Sequence, residues 1–230
     1  LHQLHAALAG ETGGAVADYI PELARADPED FGIAIATVDG HVYAVGDADR
    51  PFTIQSVSKP FLYGYALRTL GREAVRARVG VEPTGEAFNA IVLDERNNRP
   101  FNPMVNSGAI AVTALVAGDD QATRERAVLD LLGDFAGRAL EVDTAVYRSE
   151  LATGHRNRAI AYLMLNSGML AADPRDALDL YFRQCAVRVT CADLAVMAAT
   201  LANYGTNPRT GKSVLDDATV RDVLTVMSTC

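Results

Sequence analysis

Residues 31–71 read FGIAIATVDGHVYAVGDADRPFTIQSVSKPFLYGYALRTLG, and this stretch sets the architecture of the chain. Its first part, residues 31–45, consists of two alternating, β-rich runs around Asp39-Gly40. Asp-Gly between two such runs predicts a β-hairpin. After Thr53 the apolar residues recur at helical spacing until Gly71, which suits a C-cap. The stretch therefore predicts a hairpin that is followed directly by a helix.

The rest of the chain is mainly helical in pattern. Apolar periodicity predicts a helix over residues 16–26, interrupted at Pro21, and a long loop over 79–103. It predicts further helices over residues 105–117, 120–136, 159–165, 174–182, 191–201 and 217–227, with Thr190 and Asp216 as N-caps. A lone hairpin is marginal without further strands or a helical cover. We therefore expect an α+β fold, in which a mixed antiparallel sheet packs with a helical subdomain and its remaining strands lie outside residues 1–230.

The composition excludes several classes of partner. The formal net charge of −8 argues against a nucleic acid or an anionic membrane as the main partner. No apolar segment of the sequence reaches the length of a membrane span. The three cysteines form an odd, sparse set, which is typical of a cytoplasmic protein in a reducing compartment. The four histidines show no metal-ligand spacing, so we expect no metal site.

Ser56-Val-Ser-Lys59 is the strongest chemical signal in the residues themselves. Of 21 basic residues only Lys59 and Lys212 are lysines, and a lysine, unlike an arginine, can lose its proton. At helical spacing the Ser56 hydroxyl and the Lys59 amine share a face, so a neutral amine could activate the hydroxyl as a nucleophile. A polar helix start with a surface lysine is the structural alternative. Ser58 is a rival nucleophile, and Pro60 predicts an irregular opening turn.

A serine nucleophile also needs polar side chains that hold its substrate. Candidates of suitable chemistry are Tyr19, Asn102, Asn106, Glu150, Asn157 and Tyr181. Each has a structural alternative: the asparagines and Glu150 could cap helices, and the tyrosines could be core aromatics. The residues alone leave these alternatives open.

Five motifs in this order and spacing resemble the bacterial glutaminase family. They are ADYIPELA (17–24), QSVSK (55–59), NPMVNSGAI (102–110), Glu150 with Asn157, and YFRQC (181–185). The resemblance covers essentially the whole chain, from about residue 10 to residue 230. This family is similar in fold to serine β-lactamases and penicillin-binding proteins. The resemblance implies an amidohydrolase that converts L-glutamine to L-glutamate and ammonia through a γ-glutamyl-serine ester.

The resemblance also implies the roles of individual residues. Ser56 would be the nucleophile and Lys59 its proton acceptor. Glu150 would pair with the α-ammonium group of glutamine. The substrate-binding positions implied in this way are Tyr19, Ser56, Asn106, Glu150, Asn157 and Tyr181. Neither a metal nor an organic cofactor is implied, and members of the family form homodimers or homotetramers.

The resemblance treats residues 1–230 as a single catalytic domain. The family continues past the match to Thr229-Cys230 with a further pocket tyrosine and a Lys-Ser-Gly-type strand, so we expect the domain to be incomplete at its C-terminus. Two other functions are left open by the sequence. One is an acyl-serine β-lactamase or peptidase, and the other is a non-catalytic module that binds glutamine or glutamate. The preference for glutamine over asparagine rests on the resemblance alone.

Overall fold

A computed structural model of the chain describes residues 1–94, 96–171 and 173–230. The described residues form four short strands, β1 (Gly32–Ala36), β2 (Val42–Gly46), β3 (Phe52–Thr53) and β4 (Arg188–Val189). The helices are α1 (His2–Leu8), α2 (Lys59–Leu70), α3 (Arg72–Arg76), α4 (Asn106–Thr113), α5 (Gln121–Ala136), α6 (Thr144–Thr153), α7 (His155–Asn166), α8 (Pro174–Cys185), α9 (Cys191–Ala202) and α10 (Asp217–Thr229). The strands pair as two antiparallel sheets, β1 with β2 and β3 with β4, which confirms the α+β prediction.

The predicted hairpin is present and is formed by β1 and β2. Ile35 lies opposite Tyr43 in the antiparallel register. In the turn, the Gly40 N–H donates to the Thr37 carbonyl at 3.0 Å, and Gly40 has a φ of 90°. A turn of this kind requires a left-handed residue, which glycine supplies without steric cost. The hairpin packs against α9.

A second pair of strands fixes the segment that leads to Ser56. Phe52 pairs with Val189 and Thr53 with Arg188. The Ile54 N–H extends this ladder by donating to the Val187 carbonyl at 2.8 Å. The sequence analysis did not predict these strands, because two residues carry no readable alternation.

The core consists of two groups of buried side chains, with α8 in contact with helices of both. The first group joins α2, α5, α9 and α10 and includes the Phe61 and Phe135 rings, whose centroids lie 4.7 Å apart. The second group joins α4, α6, α7 and α8 and includes Ile110, Ile160 and Phe182. The contacts of α8 with α4, α5, α6 and α7 hold the two groups together. The polar residues singled out above lie mainly on helices of the second group.

Several helix predictions need correction. The helix over residues 16–26 is wrong, since this segment forms only a 3₁₀ turn at Leu23–Arg25. Pro21 has no N–H to donate and disfavours helical backbone at the residue before it, so the apolar spacing there is coincidental. The helix over 105–117 ends at Thr113. Helices α1, α3 and α6 were not predicted. Along α6 the buried residues include a carboxylate, that of Glu150, so its apolar stripe is incomplete.

Other boundaries agree with the sequence. Helix α2 ends at Leu70, and Gly71, with a φ of 80°, is its C-cap residue as predicted. Thr190 caps α9 and Asp216 caps α10 through their side chains, as predicted. Within the described residues, the helices are too short or too polar to cross a lipid bilayer.

Candidate active site

Ser56 lies in an irregular turn, as Pro60 predicts. Residues Gln55–Ser58 form a 3₁₀ turn that leads directly into α2 at Lys59. Gln55 has a φ of 49°, which is sparsely populated for residues other than glycine and marks a constrained site. Ser56 is exposed, and among the described residues no backbone carbonyl accepts its N–H. Both its hydroxyl and its N–H are therefore accessible to a ligand.

The Lys59 amine is buried, so the alternative of a surface lysine does not hold. The residue is 4% exposed, and its Nζ donates to the Met104 carbonyl and to Asn106 Oδ1, both at 2.8 Å. Desolvation lowers its pKa to about 8, because burial disfavours the charged ammonium. A neutral amine has two N–H donors and one lone pair. The two oxygen acceptors use both donors and leave the lone pair as a base.

The hydroxyl and the amine are neighbours in the chain without being hydrogen-bonded to each other. In the described part of the chain, no hydrogen bond joins Ser56 Oγ to Lys59 Nζ. A 3₁₀ turn brings residues i and i+3 into line, and this places the two side chains on one side of the turn. Catalytic hydrogen bonds are often long in unliganded enzymes and tighten with substrate, so the geometry keeps both residues as candidates.

A cavity of about 250 Å³ brings together five of the predicted binding residues. Its lining contains Tyr19, Ile20, Gln55, Phe88, Asn89, Asn106, Glu150, Thr153, Gly154, Arg156, Asn157, Tyr181 and Cys185. Ser56 and Lys59 are not part of this lining, but each adjoins it, since Ser56 follows Gln55 and the Lys59 amine bonds to Asn106. The cavity thus lies beside the Ser-Lys pair.

Glu150 contributes a buried carboxyl group to this cavity. The residue is 6% exposed, and its Oε2 atom has no hydrogen-bond partner among the residues that the structure describes. Desolvation raises the pKa of its carboxyl to about 8. Since an unsatisfied buried carboxyl is costly, the site is arranged to receive a cationic or hydrogen-bond-donating ligand group.

Asn106 links the amine to the cavity. Its Oδ1 accepts from Lys59, and its Nδ2 donates to Asn157 Oδ1 at 2.9 Å. Asn106 is the first residue of α4, whereas Val105 occupies the N-cap position and makes no side-chain cap. The helix-cap interpretation of Asn106 is therefore wrong.

Asn102 and Ser58 have structural roles. Asn102 Oδ1 accepts from the N–H groups of Met104 and Val105, which fixes the turn before α4. Ser58 is completely buried, donates to the Gln55 carbonyl at 2.7 Å and accepts from Gln184 Nε2 at 2.9 Å. Ser58 therefore holds the constrained turn in place and is unsuited to attack a substrate.

The two tyrosines differ in environment. Tyr19 is 65% exposed, so it is no core aromatic, and its hydroxyl donates to Gln55 Oε1 at 3.5 Å. Tyr181 is buried, and desolvation raises its pKa well above the usual value. Tyr181 therefore both packs in the core and lines the cavity.

The cavity wall also contains residues that were not predicted as site residues, among them Gln55, Phe88 and Arg156. The Phe88 ring centroid lies 5.6 Å from Lys59 Nζ, close enough for a cation–π contact. Gln55 and Arg156 stand beside Ser56 and Asn157 in the chain, and that adjacency was the available signal. Phe88 lies in the long loop over 79–103, where the sequence offers no periodicity to place a side chain.

Comparisons with known proteins identify the family of the chain. The family model described as Glutaminase matches residues 14–230. A glutaminase of Nostoc sp. is 55% identical over 230 residues, which are 100% of this chain and 69% of that protein. Glutaminase 2 of Bradyrhizobium diazoefficiens is 56% identical over 228 residues, which are 99% of this chain and 36% of that protein.

Solved structures give the same result. The crystal structure of Mglu in its glutamate form has a TM-score of 0.94 and 43% sequence identity to this chain. The match covers 99% of this chain and 53% of the Mglu chain. A structure described as a probable glutaminase, ybaS, has a TM-score of 0.94 at 38% identity, over 99% of this chain and 74% of its own. The chain therefore spans about half the length of Mglu. The family match and these identities show that the chain belongs to the glutaminase family.

Proposed function

We propose that residues 1–230 contribute to one catalytic domain that hydrolyses L-glutamine to L-glutamate and ammonia, with Ser56 as the nucleophile. The observation that carries the proposal is the buried Lys59 amine, with its pKa near 8, one turn from an exposed serine. The names of the relatives and the glutamate form of Mglu support the choice of substrate.

The proposed first step forms an ester. Neutral Lys59 accepts the proton of the Ser56 hydroxyl while Oγ attacks the γ-carbonyl carbon of glutamine. The resulting tetrahedral intermediate collapses when the amide nitrogen takes a proton from the Lys59 ammonium and leaves as ammonia. This step breaks the C–N bond and leaves a γ-glutamyl ester on Ser56.

The second step restores the enzyme. Lys59 is neutral again, accepts a proton from water, and the hydroxide equivalent attacks the ester carbonyl. The C–O bond to Ser56 then breaks, its oxygen regains a proton from Lys59, and glutamate is released. In both steps the N–H of Ser56, which no carbonyl of the described residues accepts, would serve as one donor to the oxyanion.

The cavity supplies the binding groups for the amino-acid part of the substrate. The unpartnered Glu150 carboxyl would receive the α-ammonium group, which explains why so costly a group is buried there. Asn106, Asn157, Tyr19 and Tyr181 provide amide and hydroxyl groups around it. This wall of polar groups suits a small amino acid better than a peptide or a lactam.

The proposal extends to assembly and location. Self-association as a homodimer or homotetramer follows from the family resemblance, and size-exclusion chromatography with light scattering measures it. A cytoplasmic location is supported by the free state of Cys185, Cys191 and Cys230, none of which is paired in a disulfide. Fractionation of the source cells tests that part.

The deciding experiment measures ammonia release from L-glutamine by the protein at its natural length, beside Ser56→Ala. Ser228→Ala, at an exposed position of α10, is the matched control. We expect the control to be fully active and Ser56→Ala to lose turnover while it still binds L-glutamate in calorimetry. Wild-type-like turnover by Ser56→Ala would remove Ser56 from the mechanism.

If the wild type binds glutamate but releases no ammonia, the chain belongs to a binding module. Turnover of a chromogenic β-lactam without turnover of glutamine would point to a β-lactamase.

A further inference from the structure

Two side chains of opposite formal charge line the cavity. Among the lining residues that the structure describes, Glu150 is the one acidic side chain and Arg156 the one basic side chain. No ion pair joins them within the described residues. The cavity wall thus presents an ionisable carboxyl group and a guanidinium group that are not paired with each other.

The two groups are separated along the wall. Desolvation alone raises the pKa of the Glu150 carboxyl, whereas a guanidinium in contact with it would lower that pKa. In the chain, Glu150 lies on α6 and Arg156 is the second residue of α7, with Gly154 between the two helices. The Gly154 N–H donates to the Glu150 carbonyl at 2.7 Å, which holds this corner rigid.

The start of α7 adds positive potential on the Arg156 side. Gly154 occupies the N-cap position and provides no side-chain cap for the first turn of this 12-residue helix. The N-terminal N–H groups of a helix carry partial positive charge and favour an anion. Gly154, Arg156 and Asn157, all at this helix start, line the cavity.

The guanidinium of Arg156 retains donors for a ligand. Its Nε atom donates to the Asn89 carbonyl at 2.5 Å, which anchors the side chain at the cavity wall. In the ranges that the structure covers, no carboxylate lies within ion-pair distance of Arg156 and its Nη atoms make no hydrogen bond. A guanidinium that is anchored through Nε, and whose Nη groups have no partner among the described residues, matches the geometry of a carboxylate.

We propose that Arg156 binds the α-carboxylate of the substrate while Glu150 binds its α-ammonium group. The inference rests on the proposed function and makes it more specific. Together the two residues select a free, zwitterionic α-amino acid, and they disfavour a glutamine whose α-carboxyl is amidated or part of a peptide bond. Arg156 is thus a specificity-determining residue that the sequence motifs did not include.

The test measures variants of Arg156 on two substrates, L-glutamine and L-glutamine α-amide, which lacks the α-carboxylate. Arg156→Gln is compared with Arg148→Gln, an equal loss of charge at an exposed α6 position outside the cavity lining. Hydrogen bonds to charged groups are worth about 1.5–3 kcal/mol, so we expect Arg156→Gln to raise KM for L-glutamine by roughly 10- to 100-fold. Its kcat should change less than about threefold, and kcat/KM for the α-amide should stay unchanged. Arg156→Lys should fall between the wild type and Arg156→Gln, since it keeps the charge but loses the planar fork.

An equal loss of kcat/KM on both substrates in Arg156→Gln would overturn the inference. It would show that Arg156 acts by holding Asn89 and the loop that contains it. An unchanged KM for L-glutamine would overturn it as well. Calorimetry with L-glutamate separates this result from the proposed function, since it needs no turnover. Glutamate binding that depends on Arg156 in a protein without ammonia release would keep the inference and refute the proposed function. Normal ammonia release together with glutamate binding that does not depend on Arg156 would keep the proposed function and refute the inference.

Discussion

Lys59 Nζ donates a 2.8 Å hydrogen bond to Asn106 Oδ1, and this contact joins the proposed base to the substrate cavity. Asn106 passes the connection on through its own Nδ2, which donates to Asn157 Oδ1. Helices α2, α4 and α7 are therefore linked by three side chains at one point. The protonation of Lys59 and the position of the cavity wall depend on the same amide.

Replacing that amide with a carboxylate should change the base directly. In Asn106→Asp the new carboxylate lies in contact with the Lys59 amine and stabilises its ammonium form, which raises the amine pKa by about 1–3 units. We expect the pH at which kcat rises to increase by at least about one pH unit. A pH profile of ammonia release measures this. Asn166→Asp, at an exposed position of α7, serves as the control and should leave the profile unchanged.

The wild-type pH profile should report Lys59 itself. Since the pKa of the amine is lowered to about 8, the neutral base becomes populated as the pH rises through 8. We expect kcat to increase through that region and then to level off. Lys59→Arg keeps the charge but cannot act as a base, so turnover should fall by about 10²-fold or more. A Lys59→Arg variant with normal kcat would show that the residue acts only as a charge.

Ligand binding should release a proton from Glu150. With its pKa raised to about 8, the carboxyl is mainly protonated at pH 7 in the free protein. An α-ammonium group favours the ionised carboxylate, so binding of L-glutamate at pH 7 should expel about one proton. Calorimetry in two buffers of different ionisation enthalpy counts the released protons. The count should fall towards zero as the pH passes 8, and a constant count across this range would contradict the assignment.

The two buried groups also make stability depend on pH in opposite directions. Between pH 4.5 and about 8 the folded protein keeps a proton on Glu150 that the unfolded chain has released, so the free energy of unfolding falls as the pH rises. Between about 8 and 10.5 the unfolded chain keeps a proton on Lys59 that the folded protein lacks, so the free energy of unfolding rises again. Each slope is at most ~1.4 kcal/mol per pH unit.

Denaturant titrations of the wild type and of a double variant that carries both Glu150→Gln and Lys59→Met measure these slopes. The difference in the free energy of unfolding between the two proteins should vary with pH and reach its extreme near pH 8. Other titrating groups contribute equally to both proteins and cancel in the difference. A difference that does not vary between pH 5 and pH 10 would mean that neither group is buried in the way described.

Local sequence signals were enough to predict the hairpin and the start of α2. Asp39-Gly40 determines the β1–β2 turn, and Pro60 explains why a 3₁₀ turn precedes α2. The strand pair β3–β4 could not be predicted, because it joins residues more than a hundred positions apart through only two residues on each side. The helix predicted at 16–26 shows the converse, since helical spacing there is overruled by Pro21.

The candidate binding residues were chosen through motifs, and the structure explains why the motifs alone were ambiguous. Glu150 interrupts the apolar buried face of its helix, and only the structure shows that its Oε2 atom is buried without a partner among the described residues. Arg156 resembles any exposed arginine in the sequence, and its place in the cavity wall depends on how α6 and α7 meet at Gly154. These properties arise from tertiary packing, which local spacing does not encode.

In the proposed mechanism Ser56 carries the γ-glutamyl group during turnover. The most direct measurement is rapid acid quenching of the protein, at its natural length, while it turns over L-glutamine. Peptide mass spectrometry then locates the γ-glutamyl adduct. We predict an adduct on the peptide that contains Ser56, assigned to Ser56 by fragmentation and absent from Ser56→Ala. An adduct on Ser58 or on another residue, or ammonia release at the wild-type rate by Ser56→Ala, would contradict the mechanism.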